Sequence, residues 1–261
     1  MFLNTVAEKC HANLITSSAK LPLAYLVSRG VSFEEIKQYK IGYIGKILRN
    51  IKPKGADKDE IENFNKWLGT NGKFVTDRIV FPIFDELGNI RGIETRGLDQ
   101  RAMKVLKPEY KERFKELSKK LPETSIRYKK FYFERSKFMP VFFGLDSCLE
   151  EVWKTQTVFL TEGILDALPL KKIKNNTLSS LTANLNDFQI NWLRRYVKKV
   201  ILLFDMDEKG KKSVIRIKRI LGDDFTVYSI GLKGKDVNDF IIKYGDKELR
   251  KLIEDKMDFI F

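Results

Sequence analysis

Very little in this sequence could form a disulfide framework or hold a soft metal. Cysteine occurs twice, at Cys10 and Cys148, and histidine once, at His11. Two cysteines cannot build a set of cross-links, and so few point to a reducing compartment, the cytoplasm. Cys10, His11 and Cys148 fall one short of the usual four-ligand structural zinc site, so no zinc module is expected within one copy. His11 reads as an ordinary helix residue. No apolar run approaches the ~20 residues of a membrane span. The N-terminus lacks the basic stretch and apolar run of a secretory signal. No Gly-x-x-x-x-Gly-Lys-Ser/Thr loop occurs, which excludes an ordinary P-loop. There is no internal repeat and no low-complexity tract.

Positive charge is abundant. The 261 residues carry 49 Lys+Arg against 35 Asp+Glu, a net charge of +14, yet 43% are apolar and 12% aromatic. That composition argues for a folded chain with a sizeable core despite its charge. The basic excess concentrates in residues 101–140, which hold 13 Lys+Arg and 5 Asp+Glu. Acids interleave over 101–124, so a solvated helix face and a phosphate-binding surface both fit there. Around Arg127–Arg135, basic residues alternate with Tyr128, Phe131, Tyr132 and Phe133. Those aromatics would stack bases or fill a core. Nucleic acid is the favoured partner.

Two halves follow from the pattern along the chain. Residues 1–150 begin with helices, and Ser32 with Glu35 before Ile36 predicts a capping box. Pro53, Gly55 and Lys58–Glu62 mark a loop or short helix. Strands over Ile79–Phe84 and Ile90–Arg96 form a hairpin around Gly88. Residues 99–126 read as an insertion, helical from Glu109 to Lys120.

From about residue 155, strands and helices alternate. Strands are expected at Thr157–Thr161, Thr177–Leu181, Val200–Phe204 and Phe225–Ile230. Helices are expected at Ile164–Lys172, Asn186–Val197 (capped by Asn184 or Asn186), Lys211–Leu221 and from Val237. Such alternation predicts an α/β fold with a parallel sheet flanked by helices.

In such a sheet, sites form beyond the carboxyl ends of the strands. Glu162 lies there after the first strand, Asp205 and Asp207 after Val200–Phe204, and Asp236 after a glycine-containing loop. Carboxylates gathered at one edge repel one another and call for a cation. With no His or Cys nearby, Mg²⁺ or Mn²⁺ suits them better than zinc. Taken singly, each acid has a plainer reading. Asp-x-Asp is usually a loop pair, and Lys235-Asp236-Val237-Asn238-Asp239 could start a helix capped by Asp236 or Asn238.

Together the motifs resemble the TOPRIM domain shared by primases, topoisomerases and some nucleases. Thr161-Glu162-Gly163-Ile164-Leu165-Asp166-Ala167 is similar to the primase form of its first motif, and Asp205-Met206-Asp207-Glu208-Lys209-Gly210 to its Asp-x-Asp-x-x-Gly motif. Lys235-Asp236-Val237-Asn238-Asp239 resembles the Lys-Asp-x-Asn-acid run of phage primases. Leu181-Thr182 stands where the family has a Gly-Thr turn. The first half resembles the primase core specifically. The matching segments are Ala24–Gly30, Ile36–Tyr43, Arg78-Ile79-Val80-Phe81-Pro82-Ile83, Arg91–Arg96, Lys130-Phe131 and Phe142-Phe143-Gly144-Leu145. The likeness covers roughly residues 20–98 and 127–245.

The resemblance implies a DNA primase core: an N-terminal mixed α+β primase subdomain (1–150) followed by a TOPRIM domain (151–261) with a C-terminal helix. It implies synthesis of short RNA primers on single-stranded DNA from ribonucleoside triphosphates. Glu162, Asp205, Asp207 and Asp236 are the implied catalytic and metal-holding acids, with Asn238 as a neutral oxygen ligand. Arg78, Arg96 and Lys130 are the implied phosphate contacts, with Lys209 and Lys235 beside the triphosphate. A replicative helicase, a separate template-recognition protein or both are expected as partners, and the Asn238 form points to a phage-like source. A TOPRIM nuclease and a non-catalytic nucleic-acid-binding replication subunit are the alternatives. A topoisomerase fits less well, because TOPRIM alone lacks a tyrosine-bearing domain.

Overall fold

The computed structural model describes residues 2–15, 19–45, 78–98, 128–132 and 142–258, with the isolated positions 58, 59, 61, 62, 66, 108 and 112. For residues 128–132 it describes the backbone. The expected loop around Pro53 and Gly55, the 99–126 insertion with its helix, Arg127 and Phe133 all lie outside the described residues or rest on those isolated positions.

The chain divides into two compact units, residues 1–83 with 89–137, and residues 84–88 with 138–261. The division falls earlier than the expected residue 150. Phe142, Leu145 and Cys148 belong by burial to the core of the second unit.

In the first unit, helices α1 (Phe2–Ile15), α2 (Lys20–Ser28) and α3 (Phe33–Gln38) precede a four-stranded sheet. Its strands β1 (Gly42–Ile44), β2 (Arg78–Phe84), β3 (Ile90–Gly97) and β4 (Tyr128–Tyr132) lie in sequence order. The expected capping box is present: the Ser32 hydroxyl accepts from the Glu35 N–H at 3.2 Å, and Glu35 accepts from the Ser32 N–H at 2.7 Å. Helix α1 buries Leu3, Val6, Ala7, Cys10 and Leu14. It reaches β1 through His11, whose Nδ1–H donates to the Ile41 carbonyl, and Asn13, whose amide donates to Tyr43. Glycine is required at position 42, because a Cβ there would stand 2.6 Å from the Cys10 backbone.

The second unit is a three-layer α/β sandwich. Its parallel strands β5 (Thr157–Thr161), β6 (Thr177–Ser179), β7 (Lys199–Leu202) and β8 (Thr226–Ser229) are ordered β6-β5-β7-β8. Alternation of side chains along the central strands explains the layers. Val158, Leu160, Val200 and Leu202 pack on α4 (Leu149–Thr155), α6 (Asp187–Tyr196) and α7 (Glu208–Leu221). Phe159, Ile201 and Leu203 pack on α5 (Ile164–Lys171), α8 (Val237–Tyr244) and α9 (Asp246–Asp258). Trp192 on α6 sits edge-on to Phe142 at 5.7 Å and donates its indole N–H to Glu86 in the 84–88 turn.

The strands are shorter than their apolar runs. Leu203 and Phe204 lie beyond β7, although the Leu203 N–H still donates to the Leu160 carbonyl at 2.9 Å. The run therefore carries Asp205 clear of the sheet edge. After β6 the chain turns at Leu181, whose φ of 65° is the left-handed conformation that glycine adopts without strain. The Ser179 hydroxyl accepts from the Leu181 N–H at 3.1 Å and supports that turn. Asn186, rather than Asn184, caps α6, with Gln189 completing a capping box.

Candidate metal centre

The carboxyl edge of the parallel sheet brings the acidic motifs onto neighbouring strand ends. Glu162 follows β5, and its carbonyl accepts from the Ser179 hydroxyl at 3.0 Å. Ser180 reinforces the same corner, its N–H donating to the Thr161 carbonyl at 3.0 Å. Neither serine was singled out from the sequence. Both lie in a Ser179-Ser180 pair immediately after an apolar strand, the one local signal that could have marked them.

Asp205 and Asp207 follow β7. The Asp207 Oδ1 caps α7, accepting from the Gly210 N–H at 2.8 Å. Gly210 is required there, because a Cβ would meet the Asp205 carbonyl oxygen at 2.0 Å. Asp236 caps α8 in the same way, accepting from the Asp239 N–H at 2.7 Å. Its Oδ2 lies 3.7 Å from the Lys235 ammonium. The two loops are stitched together by the Met206 N–H, which donates to the Lys235 carbonyl at 2.7 Å. Asp236 is 8% exposed, Asp205 half-buried and Asp207 exposed.

Electrostatics record this gathering. Burial raises the Asp205 carboxyl above its ordinary range. Asp236 and Asp207 push it the same way, against the opposing pull of Lys235 and Lys209. Concentrated negative charge with oxygen donors only is the environment that a hard divalent cation relieves. Among the described residues, no group of three or more His, Cys, Asp or Glu side chains stands close enough to hold a metal ion. The donor set thus fits a divalent ion in chemistry, while the carboxylates are grouped rather than closed into a cage.

Two expected site residues also have structural partners. Asn238 is fully buried, and its Nδ2 donates to the Leu165 carbonyl at 3.1 Å. Its N–H donates to Asp166 Oδ1, also at 3.1 Å. Asn238 and Asp166 therefore tie α8 to the first turn of α5, beside the Glu162 loop. Asp166 lies in the Glu-Gly-x-x-Asp motif but was given no role from it. Arg78 is only 3% exposed, and its guanidinium donates to the Thr95 hydroxyl at 2.8 Å and carbonyl at 3.0 Å. The arginine thereby cross-links β2 and β3, which gives it a structural role beside the expected phosphate contact.

Arg96 is partly exposed, its guanidinium 5.7 Å from the centre of the Tyr25 ring. Position 130 pairs with Glu94 across the β3–β4 ladder. Since residues two apart share a sheet face, positions 130 and 96 lie on one face. Lys209 and Lys235 are exposed beside the acids.

Comparison with known families follows this geometry. Residues 10–119 match the DNA primase catalytic core, N-terminal domain, and residues 159–241 match the Toprim-like family. The chain is thus similar to the DNA primase catalytic core in its first part and to the Toprim-like family in its second. It is 27% identical to the DNA primase of Clostridium acetobutylicum, over 99% of this chain and 41% of that one. It is 28% identical to the DNA primase of Chlamydia muridarum, over 91% of this chain and 37% of the relative. The chain thus spans about two fifths of the length of these primases. Its fold is similar to the E. coli primase catalytic core, with a TM-score of 0.73 and 19% identity over 97% of this chain and 79% of that one. It is also similar to the zinc-binding and RNA polymerase domains of the Aquifex aeolicus primase, with a TM-score of 0.69 and 23% identity over 97% of this chain and 59% of that one. These primases are bacterial and lend no support to the expected phage-like source. Among the described residues, no helix is long and apolar enough to cross a membrane.

Proposed function

We propose that this chain synthesises short RNA primers on single-stranded DNA from ribonucleoside triphosphates, by divalent-metal-dependent nucleotidyl transfer. The observation that carries the reading is the placement of Asp207 and Asp236 on loops joined beside the half-buried Asp205, in a chain similar to the primase catalytic core. Glu162, Asp205, Asp207 and Asp236 would hold Mg²⁺ or Mn²⁺. When bound, such an ion lowers the pKa of an attacking hydroxyl and stabilises the charge of a phosphoryl transition state.

The chain's own residues supply the rest. Asp207 and Asp236 each fix one oxygen on a helix N-terminus, which sets the direction of the other before any ligand arrives. Lys209 and Lys235, exposed at the mouth, attract the triphosphate and offset its charge. Arg96 and Lys130, on one face of the first unit's sheet, hold template phosphates. Asn238 acts through its bonds to Leu165 and Asp166, keeping the Asp236 and Glu162 loops in register. A helicase, a template-recognition protein or both would supply start-site choice. A solved DnaG catalytic domain bound to single-stranded DNA is among the similar structures, which supports the template assignment.

The test is incubation with single-stranded DNA, Mn²⁺ or Mg²⁺ and labelled ribonucleotides. Wild type is expected to make short labelled oligomers, and Asp205→Ala none. Template cleavage without oligomers would refute the reading in favour of a nuclease. Oligomers undiminished in Asp205→Ala would refute the assignment of the centre.

A further inference from the structure

Helix α7 leaves the candidate metal centre at its Asp207 cap and runs 14 residues, about 21 Å at 1.5 Å per residue. Its sequence, Glu-Lys-Gly-Lys-Lys-Ser-Val-Ile-Arg-Ile-Lys-Arg-Ile-Leu, contains six cations and one acid. Ser213, Ile217 and Leu221 face inward and anchor it on the sheet. Lys209, Lys211, Lys212, Arg216, Lys218 and Arg219 are all exposed. The single acid, Glu208, lies 3.5 Å from Lys211. Arg216 donates to the neutral side chain of Asn184. No carboxylate among the described residues pairs with Lys212, Lys218 or Arg219.

An ordinary solvated helix face looks different, and the same unit contains one. Helix α9 interleaves five acids with four bases over 13 residues, the arrangement in which surface charges neutralise one another. Helix α7 instead keeps a nearly pure positive face. Lys212, Arg216 and Arg219 stand at i, i+4 and i+7, which aligns them along one side of the helix. Lys211 and Lys218 flank that line at i and i+7. Successive charges on such a line are roughly 5–6 Å apart along the axis, a spacing that a flexible phosphodiester chain can follow.

We infer that the exposed face of α7 is a track for the single-stranded DNA template, leading its backbone to or from the carboxylate edge. The inference rests on the primer-synthesis reading for the choice of template as occupant. The binding surface itself follows from unneutralised charge on a helix that starts at the site. Lys and Arg on such a face gain affinity by releasing condensed counterions, without reading sequence.

The test is fluorescence anisotropy of a labelled dT20 strand across a salt series, with the whole chain as binder. Lys212→Gln/Arg216→Gln/Arg219→Gln keeps the helical surface and removes three charges. Losing three phosphate contacts is expected to weaken binding about 100-fold near 0.1 M salt, and to lower the slope of log K against log salt by about 2. The control is Lys247→Gln/Lys251→Gln/Lys256→Gln on α9, which removes equal charge from an exposed face elsewhere and is expected to leave the slope unchanged. Equal losses in both variants would overturn the track, since net charge alone would then explain them. Unchanged dT20 binding with a selective loss for rU20 would overturn the template as occupant. Asp205→Ala should bind dT20 as wild type does, so failure of primer synthesis and failure of the track are read separately.

Discussion

Lys171 carries a charge in an unusual place, and its titration tests the packing of the second unit. It is 7% exposed at the end of α5. Its ammonium donates to the carbonyls of Asn175 at 2.9 Å, Thr177 at 3.1 Å and Gly144 at 3.4 Å. It thereby joins α5, β6 and the 142–146 segment, and the neighbouring Phe143 bridges to Ser179, which supports Glu162. Burial pushes the Lys171 pKa down from 10.5 to about 8, against the opposing influence of Cys148 and Asp146. The Cys148 thiol is itself pushed up to about 12 by burial, so it stays neutral across the range in question and Asp146 is the opposing anion. A lysine whose folded pKa lies below its unfolded value releases its proton earlier when folded. Between pH 8 and 10.5 the unfolded chain therefore binds more protons at this position, and stability rises with pH. Between pH 7 and 9.5 the rise is about 2 kcal/mol, at about 1.4 kcal/mol per unit of pKa difference. Lys171→Met keeps the chain length and removes the titration. It also leaves three carbonyls without their donor, so the difference at pH 7 can take either sign and the slope is the diagnostic. Urea unfolding at both pH values should show wild type gaining about 2 kcal/mol on Lys171→Met as pH rises. A constant difference, or one moving the other way, would refute the buried, depressed ammonium.

Three further outcomes follow from the site. Gly210→Ala forces a methyl against the Asp205 carbonyl and is expected to destabilise by about 1–3 kcal/mol in thermal or urea unfolding, with loss of Mn²⁺ binding by calorimetry. Asp207→Asn keeps a good helix cap and removes the charge, so stability should hold while Mn²⁺ affinity falls. Asp207→Ala should lose both, with about 1 kcal/mol of stability from the missing cap. Asn186→Ala removes the capping box of α6 and should cost about 1 kcal/mol in thermal unfolding.

The sheet of the second unit was legible because buried parallel strands write themselves as continuous apolar runs, and Val158–Leu160 and Val200–Leu203 are such runs. The hairpin and the α3 capping box were legible for the same kind of local reason: Gly88 at the turn, and Ser32 three residues before Glu35. Strand ends were not, since pairing stops where a neighbouring strand stops. Leu203 and Phe204 look like strand in sequence yet extend past the ladder. Arg78 illustrates the limit for single residues. An arginine opening a strand reads equally as a phosphate contact or as a cross-link, and its bonds to Thr95 on β3 are visible only in the fold. Lys171 gave no signal, because a lysine in Leu-Lys-Lys-Ile looks like surface until three carbonyls from separated segments are seen to close on it.

For the acids, the two readings that the sequence held apart turn out to be compatible. Asp236 is a helix cap, as the plainer reading had it, and Asp207, read there as one of a loop pair, is a cap as well; both also lie beside Asp205 at the sheet edge. A capping carboxylate uses one oxygen on a backbone N–H and keeps the second, so capping restrains the group without consuming its capacity as a donor. This restraint counts in the absence of an ion. Like-charged carboxylates on adjacent loops repel, and unrestrained side chains would swing further into solvent. Two helix N-termini restrain Asp207 and Asp236 instead, through the N–H groups of Gly210 and Asp239. Asp205 caps no helix, and its carboxyl is raised first by burial and then by Asp236 and Asp207, against the pull of Lys235 and Lys209. In the proposed reading, backbone geometry that the local sequence dictates thus restrains two of the carboxylates before a divalent cation arrives.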